Sequence, residues 1–156
     1  MTLDDALGAY RNIILEFASR EFDTKDLLNF LAPGVPQMPS GPAPQDLAFW
    51  FESDTAVTVR TRDPALGVLW WPKTPADEPV NDLHINPYAP LVPYEDLIAQ
   101  LGLGDMLSMN QGHPLADIQK THVFHGIKIV INQIVYSNAP ETQGLVGGLS
   151  LHRIFS

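Results

Sequence analysis

The sequence contains no cysteine, few basic residues and no long apolar run. The absence of cysteine from 156 residues excludes disulfides, thiolate nucleophiles and cysteine metal sites. No run of about 20 apolar residues is present, so no membrane-spanning helix is expected. The first ten residues, MTLDDALGAY, carry two acids where a secretory signal carries Lys or Arg. We therefore expect a cytoplasmic protein of bacterial type.

Basic residues are scarce, because 9 Lys and Arg stand against 18 Asp and Glu, a net charge of −9. Nucleic-acid binding depends on clustered Lys and Arg, so no nucleic-acid partner is expected. Residues 1–105 hold 16 acids and 6 bases (net −10), whereas residues 106–156 hold 2 acids and 3 bases (net +1). This distribution fits a soluble acidic surface with no particular partner, and it equally fits a surface complementary to a basic protein.

The length fits a single domain spanning residues 1–156. Apolar residues at helical spacing predict a helix over residues 2–20, which begins with a capping box between Thr2 and Asp5. A second helix, expected to be largely buried, begins at Thr24 and ends before Pro33. Proline and Gly102 at its two ends predict a third helix over residues 93–101.

Five segments predict strands. LAFWF (47–51), AVTVRTR (56–62) and LGVLWW (66–71) are typical of an antiparallel meander, THVFHGIKIVINQIVYSN (121–138) predicts one long strand, and GLSLHRIF (148–155) predicts the last. Two proline-rich stretches, 32–45 and 72–92, are predicted to be irregular. The predicted order is α-α-β-β-β-α-β-β, and the class is α+β with a mostly antiparallel sheet.

Histidine spacing gives no support to a metal site. His122 and His125 lie three apart, which in a strand places them on opposite faces and about 10 Å apart. Asp82 and His84 share one strand face, but zinc takes three or four ligands and no further ligand is near them in the sequence. We predict no metal site and no cofactor.

Catalytic signatures are also missing. GGLSL around Ser150 lacks the second glycine of the G-x-S-x-G nucleophile motif. LGLGDML has Leu107 where a dinucleotide fingerprint has glycine. We assign no catalytic residue and expect a protein that is not an enzyme, although acid–base sites also assemble across a fold without a local signature.

The tryptophan pair and the loop that follows it form the first candidate binding surface. Trp70 and Trp71 are adjacent on a predicted strand, so one faces the core while the other is exposed or lies beneath the 72–92 loop. An exposed tryptophan favours an interface. Asp77, Glu78 and Asp82 lie in that loop, where they would steer a basic partner towards the tryptophan.

The second candidate binding surface is one face of the strand predicted at 127–136. Ile127, Ile129 and Ile131 form an apolar face, whereas Lys128, Asn132 and Tyr136 belong to a mixed face. Such a face is either a partly solvated sheet surface, which antiparallel sheets commonly show, or a recognition surface.

The stretch NDLHINPYAPLVPYEDLIAQLG (81–102), with its short helix and the long strands that follow, resembles the pyocin-type immunity proteins. These are small, acidic, cysteine-free proteins that bacteria make against their own toxins. The resemblance covers about residues 81–155 and rests on the arrangement of elements. It implies a protein that binds and neutralises a cognate toxin, here a toxin domain with a basic surface, without chemistry of its own.

The N-terminal helix pair resembles a different group, α+β families with cone-shaped sheets that bind small molecules or catalyse. The alternative function is therefore a small hydrolase- or isomerase-like enzyme, or a ligand-binding domain with a pocket between helices and sheet.

Overall fold

The computed structural model of the chain describes residues 2–38, 47–104, 106, 108–113, 117–135 and 139–154. Within them lie the α-helices α1 (Leu3–Ser19), α2 (Thr24–Leu31) and α3 (Tyr94–Leu101). The capping box between Thr2 and Asp5 begins α1, and Gly102 ends α3 in the left-handed conformation, with φ of 63°. The three predicted helices are confirmed. Only Leu27 of α2 is fully buried, so α2 is less buried than its sequence predicts.

All eight strands belong to one antiparallel sheet. In chain order they are β1 (Phe49–Glu52), β2 (Ala56–Arg60), β3 (Val68–Pro72), β4 (Asp82–Asn86), β5 (Ser108–His113), β6 (Asp117–Phe124), β7 (Ile127–Ile134) and β8 (Val146–Arg153). Across the sheet the order is β1-β2-β3-β4-β8-β7-β6-β5. The last strand of the chain, β8, therefore lies between β4 and β7, and it joins the two halves of the sheet.

The α+β class and the succession of helices and strand groups are confirmed, but the sheet has eight strands where the sequence predicts five. One of the additional strands, β4, lies inside the stretch 72–92 that the sequence predicts to be irregular. Leu83 and Ile85 of β4 are fully buried. Pro79 and Pro87 flank this short strand. The alternating pattern of its five residues therefore does not stand out in the sequence. Half of the other proline-rich stretch, residues 39–45, lies outside the described residues.

The histidine-containing stretch 121–138 forms a hairpin, so the prediction of one long strand is wrong. The turn between β6 and β7 consists of His125, with φ of 46°, and Gly126, with φ of 83°. Two successive residues with positive φ are typical of a type I′ hairpin turn, which reverses the chain. Residues 136–138 lie outside the described residues.

One face of the sheet packs against the helices. Strand residues and helix residues, the latter including Tyr10, Ile14 and Phe17, share one hydrophobic cluster. Twelve strand residues of the cluster are at most 4% exposed: Val57, Val59, Leu69, Trp71, Leu83, Ile85, Ile127, Ile129, Ile131, Val146, Leu149 and Leu151. The Tyr10 hydroxyl also donates a hydrogen bond to the carbonyl oxygen of Ala65, which ties α1 to the connection between β2 and β3. No helix in the described ranges is long and apolar enough to cross a membrane.

The opposite face, here called the outer face, carries the alternate residues of the same strands. Strand pairing sets Trp70, His84, Ser150 and Val130 side by side in a row that crosses β3, β4, β8 and β7. Trp70 and Val130 do not belong to the hydrophobic cluster. At the centre of the sheet, the outer face therefore carries side chains that are not part of the hydrophobic core.

Candidate functional site on the outer face

Trp70 and His84 form a stacked aromatic pair at the centre of the outer face. Their ring centroids are 4.0 Å apart and the rings are 6° from parallel. Both side chains are half-buried, and burial lowers the pKa of His84, an effect that the charge of His152 reinforces and that of Asp82 opposes. His84 is therefore a neutral ring near pH 7, and it holds Trp70 in a fixed orientation with one ring face supported.

Asp82, His152 and Ser150 form a hydrogen-bonded chain beside this pair. His152 Nδ1 lies 2.7 Å from Asp82 Oδ1, and His152 Nε2 lies 2.8 Å from Ser150 Oγ. An ionised carboxylate only accepts, so Nδ1 is the donor to Asp82. In the neutral ring Nε2 then accepts a hydrogen bond from the Ser150 hydroxyl.

Two side-chain amides lie beside Gly148, which is two residues before Ser150 on β8. A Cβ at Gly148 would lie 3.6 Å from Asn86 Oδ1 and 3.7 Å from Asn132 Nδ2. Asn132 Oδ1 is buried and accepts no hydrogen bond from any described residue. The outer face therefore carries polar amide groups next to Ser150 along β8.

The outer face brings together four of the eight residues that the sequence predicts for binding. Asp82 pairs with His152, and Lys128 pairs with the same histidine from the other side. Trp70 lies in the next row along the strands, and Asn132 lies in the row beyond it. Parts of the first and second candidate surfaces, predicted separately from the sequence, thus belong to one face of the sheet.

Of the other four predicted residues, three do not join this face. Trp71 is fully buried in the core, where its indole N–H donates to Thr24 Oγ1, so it is out of reach of a partner. Asp77 and Glu78 are exposed in the turn that begins at Pro75, on the side of the sheet that carries α2. Tyr136 lies outside the described residues.

Ser150, His152 and His84 were not predicted as site residues, although their spacing contains a weak signal. Ser150 and His152 lie two apart, as do Asp82 and His84, which is the spacing of one strand face. The unpredicted pairing of β4 with β8 brings these two pairs together from about 70 positions apart in the chain. Asp82 and His84 therefore have a third titratable neighbour, His152, although no group of three or more His, Asp or Glu in the described ranges is arranged to hold a metal ion.

Neither His122 nor His125 belongs to the outer face, and the two side chains have different surroundings. His122 is on the core face of β6, 2% exposed, and its Nε2 is hydrogen-bonded to the Tyr94 hydroxyl at 2.7 Å. Burial lowers the pKa of His122. His125 is exposed in the hairpin turn. His122 therefore supports the packing of α3 against β6, and His125 forms part of the turn between β6 and β7.

A cleft of about 630 Å³ lies between α2 and the strands β1 to β3. Its apolar lining includes Leu28, Val35, Trp50 and Val57. At its edge Lys73 Nζ lies 3.2 Å from Glu52 Oε2. The cleft is separate from the outer face, since Trp50 and Val57 belong to the core side of the sheet.

The fold and the site together define an α+β domain with polar and aromatic side chains on the face of an antiparallel sheet opposite the one that packs against the helices. No protein-family model matches the chain, and no curated protein is similar enough to count as a relative. Among solved structures, the chain is similar to a DUF4309 family protein (YjgB) from Bacillus subtilis, with a TM-score of 0.43 and 11% sequence identity over 85% of this chain and 78% of that chain. We draw no functional conclusion from so distant a likeness.

Proposed function

We propose that the chain is a cytoplasmic protein-binding domain, an immunity-type protein that neutralises a cognate bacterial toxin by binding it with the outer face of the sheet. The observation that carries the proposal is the position of Trp70, held by its stack on His84 at the centre of a sheet face that carries no helix-packing cluster. Binding hot spots are enriched in tryptophan and lie near the centre of an interface.

The surroundings of Trp70 support a protein partner. Asp82, Lys128 and Asn132 offer charged and polar groups around the aromatic pair, as in an interface with an apolar centre and a polar rim. They stand on the central strands β4 and β7, each paired on both sides, so the surface is preorganised and loses little entropy on binding.

The net charge supports a basic partner. With 16 of the 18 acids in residues 1–105, the domain attracts a positively charged protein over a distance of about one Debye length, roughly 8 Å at physiological salt. Such steering raises the association rate, whereas a buried anchor such as Trp70 governs dissociation.

The first experiment uses a toxin partner captured from the source organism, purified and titrated against variants of the chain. Trp70→Ala should weaken binding by about 2 kcal/mol or more, roughly 30-fold, mainly through faster dissociation. Leu91→Ala, at an exposed apolar position outside the outer face, is the matched control and should bind as the wild type does. Equal affinity of the Trp70→Ala variant and the wild type would contradict the proposal.

Two charge variants then locate the steering surface. Asp82→Asn alters the outer face, whereas the double variant Asp77→Asn with Glu78→Gln alters the turn beside α2. The proposal predicts slower association at low salt for Asp82→Asn and a smaller effect for the double variant. The reverse result would place the interface at the 72–81 loop and remove the outer face as the steering surface.

We propose acyl-ester hydrolysis as a second candidate function, because the hydrogen-bonded chain Asp82–His152–Ser150 favours it. In this reaction Ser150 Oγ attacks the ester carbonyl carbon while its proton passes to His152 Nε2. The C–O bond to the alcohol then breaks, and the alcohol leaves with that proton. Water attacks the acyl-serine and gives a proton to His152. His152 then returns this proton to Ser150 Oγ as the acyl–oxygen bond breaks, which releases the carboxylic acid and free Ser150. Asp82 holds His152 in the tautomer that accepts at Nε2.

Acylation of Ser150 by p-nitrophenyl acetate tests this second function. The hydrolase function predicts a burst of one p-nitrophenolate per chain and an acetyl group on the peptide that contains Ser150. His152→Ala should slow the burst by roughly 10²–10⁴-fold, the usual contribution of a general base. Ser19→Ala, an exposed serine on α1, is the control. An unlabelled Ser150 peptide, or the same burst from Ser150→Ala, would exclude the hydrolase function and leave the hydrogen-bonded chain with a structural role.

A further inference from the structure

The cleft between α2 and strands β1 to β3 has the size and walls of a small-molecule site. Its volume of about 630 Å³ falls within the range of roughly 300–1,000 Å³ that ligand pockets occupy. The α2 side chains, with Leu28 among them, form one wall, and Trp50 and Val57 from β1 and β2 form the other. Residues 73–76 close one end. The cleft is therefore bounded by elements that are fixed by the core.

Apolar groups dominate the interior of the cleft. Leu28, Val35 and Trp50 are half-buried, which means that part of their apolar surface faces the open space of the cleft. Burying such surface is worth about 25 cal/mol per Å². A ligand with an apolar body would therefore gain by covering the Trp50 ring and the aliphatic side chains around it.

The charged groups that line the cleft indicate the sign of the charge that its ligand would carry. Lys25 and Lys73 both line it, against the single acid Glu52. Lys73 is paired with Glu52 at 3.2 Å, whereas Lys25 has no acidic partner in the part of the chain that the structure describes. The chain has only four lysines and a net charge of −9. Two lysines against one acid give this cleft a local positive balance on an acidic protein.

A buried hydroxyl supplies a further, directional group. Thr74 Oγ1 is buried, lines the cleft and has no hydrogen-bond partner among the described residues. A buried polar atom without a hydrogen-bond partner destabilises the fold, and a ligand oxygen would supply that partner. The Asn29 side chain lines the same space from α2.

We propose that this cleft binds a small apolar monocarboxylate, that is, a medium-chain fatty acid or an aromatic carboxylic acid. The apolar body covers Trp50 and Leu28, and the carboxylate lies between Lys25 and the Lys73–Glu52 pair, where the Thr74 hydroxyl donates to it. The site is independent of the outer face and does not need a toxin partner.

A fluorescent fatty acid, 11-(dansylamino)undecanoic acid, is the probe for the test, with decanoate and decanol as competitors. The proposal predicts saturable binding, with energy transfer from tryptophan to the dansyl group. Decanoate should displace the probe at least tenfold better than decanol, because a hydrogen bond to a charged group is worth roughly ten- to a hundredfold in affinity. Equal competition by decanol would overturn the carboxylate part of the proposal, and the absence of saturable binding would overturn the site.

Matched variants place the probe in the cleft. Val35→Trp fills the space and should abolish binding, whereas Leu91→Trp adds the same side chain at an exposed position elsewhere. Lys25→Met, which changes an exposed side chain and leaves the fold intact, should weaken decanoate about tenfold and leave decanol unchanged. Lys128→Met on the outer face is its control. Undiminished probe binding by a folded Val35→Trp variant, or equal losses in the two lysine variants, would refute the assignment.

Discussion

Replacing Gly67 by alanine tests the pairing of β3 with β4, which brings Trp70 onto His84. Gly67 has φ of 58° and forms a β-bridge with Asn86, just beyond the regular ladder. A Cβ at Gly67 would lie 2.1 Å from Asn86 O and 2.7 Å from both Pro87 Cα and Tyr88 N. These are backbone atoms, which cannot rotate away, so the two strands would have to separate at this point.

Two costs add up in the Gly67→Ala variant. The left-handed conformation costs about 1–2 kcal/mol for a residue with a Cβ. Forcing an extra carbon into packed backbone costs about 1–3 kcal/mol more. We therefore expect a loss of about 2–5 kcal/mol in the free energy of unfolding. Gly102 has nearly the same φ, 63°, but nothing lies within 4 Å of a Cβ there. Gly102→Ala should therefore lose only the cost of the left-handed conformation, about 1–2 kcal/mol.

Urea unfolding of the wild type and the two alanine variants measures the difference. Both variants should keep the m value of the wild type, since the surface exposed on unfolding is unchanged. The Gly67→Ala variant should be less stable than Gly102→Ala by about 1–3 kcal/mol. Equal losses in the two variants would refute the close approach of Gly67 to β4, and with it the register that sets Trp70 against His84.

Three further predictions concern the domain and its histidines. Calorimetry of the full chain should show one unfolding transition, and two separate transitions would contradict a single domain. Neither stoichiometric zinc nor a chelator should change the melting temperature, so an upward shift with zinc would reveal a metal site. Because burial lowers the pKa of His122 from 6.5, the unfolded chain takes up a proton that the folded chain does not, and stability should fall as pH drops through about 6.5. His122→Gln should reduce this pH dependence, and an undiminished dependence in that variant would contradict the assignment.

The helices were predictable because their signals are local. The Thr2 capping box sets the beginning of α1, and the left-handed Gly102 sets the end of α3. Each signal acts within a few residues of its helix. The two faces of β7 were predictable for the same reason, since a period of two assigns Ile127 and Ile129 to the core without knowledge of the neighbouring strands.

The hairpin turn and β4 could not be found in this way. A turn of His125 and Gly126 lacks the Asn-Gly or Asp-Gly pair that identifies most type I′ turns, so the residues on either side read as one strand. The five residues of β4 are too few to outweigh the prolines around them. Tertiary pairing with β3 and β8 stabilises this strand more than its own sequence does.

The candidate site depends on the pairing of β4 with β8, which the sequence does not reveal. Two-residue spacing places Ser150 beside His152 and Asp82 beside His84, but only the juxtaposition of β4 and β8 brings the two pairs into hydrogen-bond contact. Likewise, the sequence requires Trp70 and Trp71 to face opposite sides without deciding which one is buried. The pairing of Trp71 with the buried Val57 decides it.

The three tryptophans provide the most direct test of the central claim, that the outer face is the recognition surface. Trp70 lies on that face, Trp71 lies in the core and Trp50 lines the cleft, so their indole N–H signals in a ¹H–¹⁵N NMR spectrum report on three separate regions. Titration with the toxin partner should shift or broaden the Trp70 signal and leave those of Trp71 and Trp50 in place. A saturating partner that leaves the Trp70 signal unmoved, or that moves Trp50 instead, would contradict the account.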